Sequence, residues 1–205
     1  MKRSIVLRGL RQRTFYLLLT ASTICLVSEA RGQRANDAGS GSQEALGSLS
    51  KSPVLRRVVT GTNAAGKSTV IFDGVPPTTL PRNGGGGNIL LWIAHSTPAD
   101  NSGNRDAAVG TTTSSPSNDN ETVFKVVEWP PGEGLEGVPE AGMHHTKTID
   151  YVVILSGEIG MRLQDDSEVR LKAGDILVQR GVVHGWRNRT NQPCRAAIVM
   201  VPAKD

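Results

Sequence analysis

The sequence predicts an all-β domain built as an antiparallel sandwich or barrel. From Thr122 onward, short runs of β-favouring residues alternate with turn signals every eight to twelve residues. No apolar repeat of helical period and useful length follows residue 30. Without helices to carry parallel crossovers, the strands must pair antiparallel.

The first 30 residues stand apart. Lys2, Arg3, Arg8, Arg11 and Arg13 face one acid there, Glu29, whereas the other 175 residues hold 18 basic and 18 acidic side chains. That basic stretch precedes a 13-residue apolar run, Phe15 to Val27, and the small-x-small sequence Ser28-Glu29-Ala30. These are the three parts of a secretory signal peptide, with cleavage after Ala30. Thirteen residues are too few for an ordinary membrane span. The expectation is a secreted protein (periplasmic if bacterial) with no membrane contact once the signal is removed. A mitochondrial presequence is the alternative. The charge-neutral remainder lacks the clustered Lys and Arg of a nucleic-acid footprint.

Residues 31–52 are polar and Gly/Ser-rich, a flexible leader. The folded domain is expected over residues 53–205. Its opening holds GTNAAGKST, residues 61 to 69, a literal match to the phosphate-binding loop of nucleotide hydrolases. That loop needs a helix directly after it. Here Val70, Ile71 and Phe72 favour a strand, and Asp73-Gly74-Val75-Pro76-Pro77 breaks any helix. The segment reads instead as a hairpin, with strands over 54–60 and 68–72 and a turn around Asn63 to Gly66. No nucleotide site is expected.

Next comes a flexible break, NGGGG at 83–87, and an apolar strand, NILLWIAH at 88–95. Residues 96–121 are a low-complexity surface insertion between two strands. Strands follow in TVFKVVEW, DYVVILS, EIGMRLQ, SEVRLK, DILVQR, HGWRN and RAAIVMVP, separated by Gly, Pro and Asp turns. Cys25 would leave with the signal peptide, so Cys194 remains without a disulfide partner and is expected to pack as a small hydrophobe. Asn120 and Asn188 match glycosylation sequons; the first lies in an expected loop, the second within a tight motif.

Three of the four histidines, His144, His145 and His184, could carry chemistry together with Asp150. On a regular strand, His144, Thr146, Thr148 and Asp150 share one face and His145 points away. A bulge would turn His145 inward instead. His184 could reach the same interior from another strand. Two imidazoles and one carboxylate are the ligand set of non-haem Fe(II) oxygenases, and the same set accepts Mn, Ni or Zn.

The stretches PEAGMHHTKTIDYVVILSGE and LKAGDILVQRGVVHGWRN resemble the two motifs of the cupin superfamily. His144 stands at the first His of the family's first motif, Asp150 at its Glu, and Gly157 follows with six residues between. Gly174, Gly181, His184 and Asn188 match the second motif. Thr146 occupies the place of the first motif's second His, and Arg180 the place of a Pro. The resemblance implies a jelly-roll barrel whose interior is the pocket. It is similar to cupin-domain oxidoreductases found beside fungal polyketide pathways. It implies a metal-dependent enzyme acting on a small organic molecule, with His144, Asp150 and His184 as ligands and Fe(II) as the first choice. Tyr151, Gln179, Arg180 and Trp186 are candidates for touching substrate. A non-catalytic ligand-binding cupin, or a cupin isomerase or decarboxylase, remains the alternative. A homodimer is an open option.

Overall fold

The computed structural model describes residues 54–82, 85–134 and 142–204. The expected signal peptide and leader lie outside them. Eleven strands run through the described residues: β1 (Arg57–Thr62), β2 (Ser68–Gly74), β3 (Thr78–Pro81), β4 (Gly87–Ala94), β5 (Thr122–Trp129), β6 (Thr148–Ser156), β7 (Glu158–Leu163), β8 (Glu168–Lys172), β9 (Ile176–Gln179), β10 (His184–Arg187) and β11 (Cys194–Pro202). Every pairing is antiparallel. The all-β architecture read from the sequence is the architecture of the domain.

The strands form a six-stranded sheet in the order β3-β4-β5-β11-β6-β9, a three-stranded sheet β10-β7-β8, and the hairpin β1-β2. Parity decides which side chains meet. Thr148, Asp150, Val152 and Ile154 of β6 face inward, as do Cys194, Ala196, Ile198 and Met200 of β11. Ile159, Met161, Leu171 and Trp186 join them in one core from the three-stranded sheet. The outer face of β6 and β9 is apolar too: Tyr151 stands opposite Val178 and Val153 opposite Ile176, all exposed.

The segment resembling a phosphate loop is a hairpin connection. Asn63 organises it: its carbonyl accepts from Gly66 N–H at 2.9 Å, and its Oδ1 accepts from Ala65 and Lys67 N–H at 2.9 and 3.0 Å. The chain then continues as β2, so no helix N-terminus faces the turn. The strands differ from expectation at their ends. β1 begins at Arg57, three residues late, and β3 was not foreseen because TTLP carries a proline. That proline sits at the end of an edge strand, where a missing N–H costs nothing. Asn120 is exposed, whereas Asn188 is fully buried, its amide donating to Trp129 and Gln192 carbonyls. The second sequon is therefore closed to glycosylation in the folded domain.

The β6–β7 turn is held by one glycine. Gly157 has φ +74°, and a Cβ there would lie 2.4 Å from the Pro193 carbonyl oxygen. Gly157→Ala is therefore expected to cost at least about 1–2 kcal/mol from the left-handed backbone alone, with the backbone clash added. A urea midpoint unchanged from wild type would refute that.

Candidate functional site

A cavity of about 350 Å³ opens between the two sheets and is lined by His144, Asp150, Lys125, Gln179, His184 and Trp186, among others. Its residues arrive from different elements. Asp150 comes from the start of β6, paired with Met200 of β11 on one side and Gln179 of β9 on the other. Lys125 comes from β5, paired with Ile198, which in turn pairs with Val152. Lys125 thus lies one inward row along from Asp150 and two strands across. His184 opens β10 in the opposite sheet.

His144 lies before β6 and joins His184 through an isolated antiparallel bridge. Each backbone N–H donates to the other's carbonyl, at 2.9 and 2.8 Å. The bridge brings the two imidazoles to 4.5 Å between ring centres. His184 is 3 % exposed and meets Trp186 edge-on at 5.7 Å. His184 Nδ1 lies 2.9 Å from the Val182 carbonyl. The Gln179 amide Nε2, a donor, lies 3.1 Å from the same Nδ1, so its two neighbours favour opposite tautomers. Burial holds the His184 imidazole below its ordinary range, with the Val182 hydrogen bond opposing and His144 adding to the drop.

Asp150 is 8 % exposed. Thr148 Oγ1–H donates to its Oδ1 at 2.6 Å, and Thr146 Oγ1 stands 2.7 Å from Thr148 Oγ1. Strand parity lines up this row of side chains. Burial raises the Asp150 carboxyl above the usual range, while Thr148, Lys125 and His144 oppose the rise. Lys125 is 7 % exposed, and its Nζ donates to the Ser114 carbonyl at 2.7 Å. Burial pushes its ammonium down to about 8, against the pull of Asp150 and with help from Arg82. Cys194 is fully buried and its thiol is pushed up to about 12, so it packs and does not attack.

Two buried side-chain atoms among the described residues have no protein partner: the Trp129 Nε1–H donor and the Gln179 Oε1 acceptor. Both residues line this cavity. Buried polar groups are ordinarily satisfied, so each of these two atoms calls for a ligand or water as its partner.

His144, Asp150, His184, Gln179 and Trp186 thus share one pocket. His145 is exposed and outside its lining; it precedes β6, and its neighbour His144, which does line the cavity, is exposed too. Tyr151 and Arg180 are also exposed and outside it. Sharing a pocket is less than converging on one point. Among the described residues, no three His, Cys, Asp or Glu side chains are grouped to hold a metal ion. The donor types suit a metal; their present spacing does not make its cage.

Sequence reasoning missed Lys125, although a signal was there. Val123, Lys125, Val127 and Trp129 share one parity and all point inward. A charged residue on the core face of a strand is the anomaly worth noting.

Comparisons with known proteins follow from this geometry. The family profile described as "Cupin domain" matches residues 125–201. The phomopsin biosynthesis cluster protein C' of Diaporthe leptostromiformis is 35% identical, covering 69% of this chain and 76% of that one. The cupin-domain-containing oxidoreductase fogC of Aspergillus ruber is 26% identical over 73% of each chain. A Methanocaldococcus jannaschii protein with a double-stranded β-helix fold is 20% identical over 40% of this chain and 70% of that one, with a TM-score of 0.34.

Proposed function

This chain belongs to the cupin superfamily, and from that premise we propose that it is an oxidoreductase acting on a small organic molecule held in the barrel pocket. The names of relatives such as fogC and srdD support the redox class. The observation that carries the ligand reading is the pair of unpartnered atoms, Trp129 Nε1 and Gln179 Oε1, in one cavity. A ligand hydroxyl suits either atom, accepting from the indole or donating to the amide oxygen.

Asp150 and His184 are the proton-moving groups of this reading. A neutral His184, held below its ordinary range by burial, accepts a proton at its unprotonated ring nitrogen. Asp150, with its value raised by burial, can give one up. Trp186 supplies an apolar wall beside them. A divalent metal, Fe(II) first and Mn, Ni or Zn after it, would be held by His144, Asp150 and His184, and would supply Lewis-acid or redox chemistry. Among the described residues these three side chains do not converge as arranged.

The test is oxygen uptake by the purified protein over a panel of small hydroxylated compounds, with and without added Fe(II), beside elemental analysis. Uptake with a subset is expected, lowered about a hundredfold or more in His184→Ala. Saturable binding with no redox turnover would replace the enzyme by a ligand-binding cupin. Turnover without net oxidation would move the reading to an isomerase or decarboxylase. Stoichiometric bound metal would show that His144 can swing to meet the other two ligands.

A further inference from the structure

We propose that Lys125 forms an imine with an aldehyde or ketone group of the ligand, which makes the barrel pocket a site for small carbonyl compounds. The inference rests on the reading of this cavity as the substrate site and adds the functional group taken there.

Four observations place an amine where it can do this. Lys125 is buried among Val123, Val127 and Trp129 on the inward face of β5, and it lines the cavity. The other described lysines, Lys67, Lys147, Lys172 and Lys204, are exposed. Nζ makes one hydrogen bond, to the Ser114 carbonyl, and no ion pair at 4 Å or less among the described residues. A surface lysine needs no such arrangement, and a structural one would be paired with a carboxylate. The Ser114 carbonyl holds Nζ in place while leaving its other directions free. Finally, burial weakens its hold on the proton, to about 8, so that a usable fraction is neutral amine near pH 7.

The chemistry balances within the pocket. The neutral amine's lone pair adds to the carbonyl carbon. The C–N bond forms, and the carbonyl π electrons move to oxygen, which takes up a proton. Nitrogen gives up its two protons in turn, the oxygen gathers two in all and departs as water, leaving C=N. No oxidant or reductant is consumed. The protonated imine then draws electrons from the adjoining C–H bond and makes it acidic, and hydrolysis returns the lysine.

The experiment treats the full chain with benzaldehyde and sodium cyanoborohydride at neutral pH and maps N-benzyl lysine by peptide mass spectrometry. Lys125 is expected to be labelled about tenfold faster, or more, than Lys67, Lys147 and Lys172, because a larger share of it is neutral. Equal or slower labelling of Lys125 would overturn the proposal. Lys125→Arg is the second arm: it keeps a cation in place but cannot form an imine. If a substrate from the oxygen-uptake panel is turned over as well by Lys125→Arg as by wild type, the role is electrostatic and the imine is excluded. Selective labelling of Lys125 without any redox turnover would leave the imine standing and remove the oxidoreductase reading, so the two fail separately.

Discussion

Asp150→Asn is expected to lower turnover by about a hundredfold or more while making the domain more stable at neutral pH. The two effects share one cause. Asn keeps the oxygen that accepts from Thr148 but can neither give nor take the catalytic proton. The carboxyl it replaces is buried, and burial raises it above its ordinary value of 3.8, with Thr148 and Lys125 opposing. A group raised on folding binds its proton more tightly in the native state than in the unfolded one. Its contribution is therefore fully present below the ordinary value and is lost as pH rises through the raised value. At neutral pH the unfolded wild type gains from ionising a carboxyl whose ionisation burial disfavours in the native state, and Asn has no such group. Urea midpoints of chelator-treated proteins should therefore separate progressively as pH rises above about 4, with Asn the more stable. A variant less stable than wild type at neutral pH would show that native partners favour the ionised carboxylate over its burial cost.

Glu133→Ala is expected to destabilise the domain by about 3–5 kcal/mol, a large part of the 5–15 kcal/mol typical of such folds. Glu133 is fully buried and accepts two hydrogen bonds from Arg82, at 2.9 and 3.0 Å. Arg82 lies over the Trp129 ring at 5.3 Å and also donates to the Glu128 carbonyl. Its guanidinium side chain is only 10 % exposed. Removing the carboxylate strands that cation, and its desolvation goes unopposed. The Glu133 backbone carbonyl accepts from Asn188 N–H at 2.9 Å, a contact that survives the substitution. Replacing both partners, Arg82→Met with Glu133→Leu, should recover most of the loss, because two apolar groups leave no unpaired charge. A double variant as unstable as the single one would show that the backbone around Glu133 matters more than the pair.

Much of the fold was legible because strand parity and turn chemistry are local. The inward row Thr148, Asp150, Val152, Ile154 follows from alternation alone. What alternation cannot supply is which sheet a strand joins. His184 reaches the pocket from the sheet opposite Asp150, through a backbone bridge to His144 that no spacing rule encodes. The same limit explains Tyr151 and Arg180. Each neighbours a pocket residue in sequence, Asp150 and Gln179 respectively, and a one-residue step on a strand turns a side chain to the other face. Arg82 and Glu133, 51 residues apart, carried no sequence signal at all. Their pairing depends on β3 and the end of β5 arriving at the same end of the barrel.

The Ser114 carbonyl that holds Lys125 belongs to the long connection between β4 and β5, not to a strand. Ser114 and Ser115 also line the cavity. The roof over the amine is therefore a loop, anchored to the barrel further back by the buried Ala108 and by Asp106, which pairs with Arg57. A connection of polar, low-complexity residues tolerates insertions and deletions far better than a paired strand does. Lengthening or shortening it between Ala108 and Ser114 would move the carbonyl away from Nζ without breaking one rung of either sheet. Descendants of this chain could thus diversify their chemistry by drift in a loop, while the barrel that folds them stays under unchanged selection.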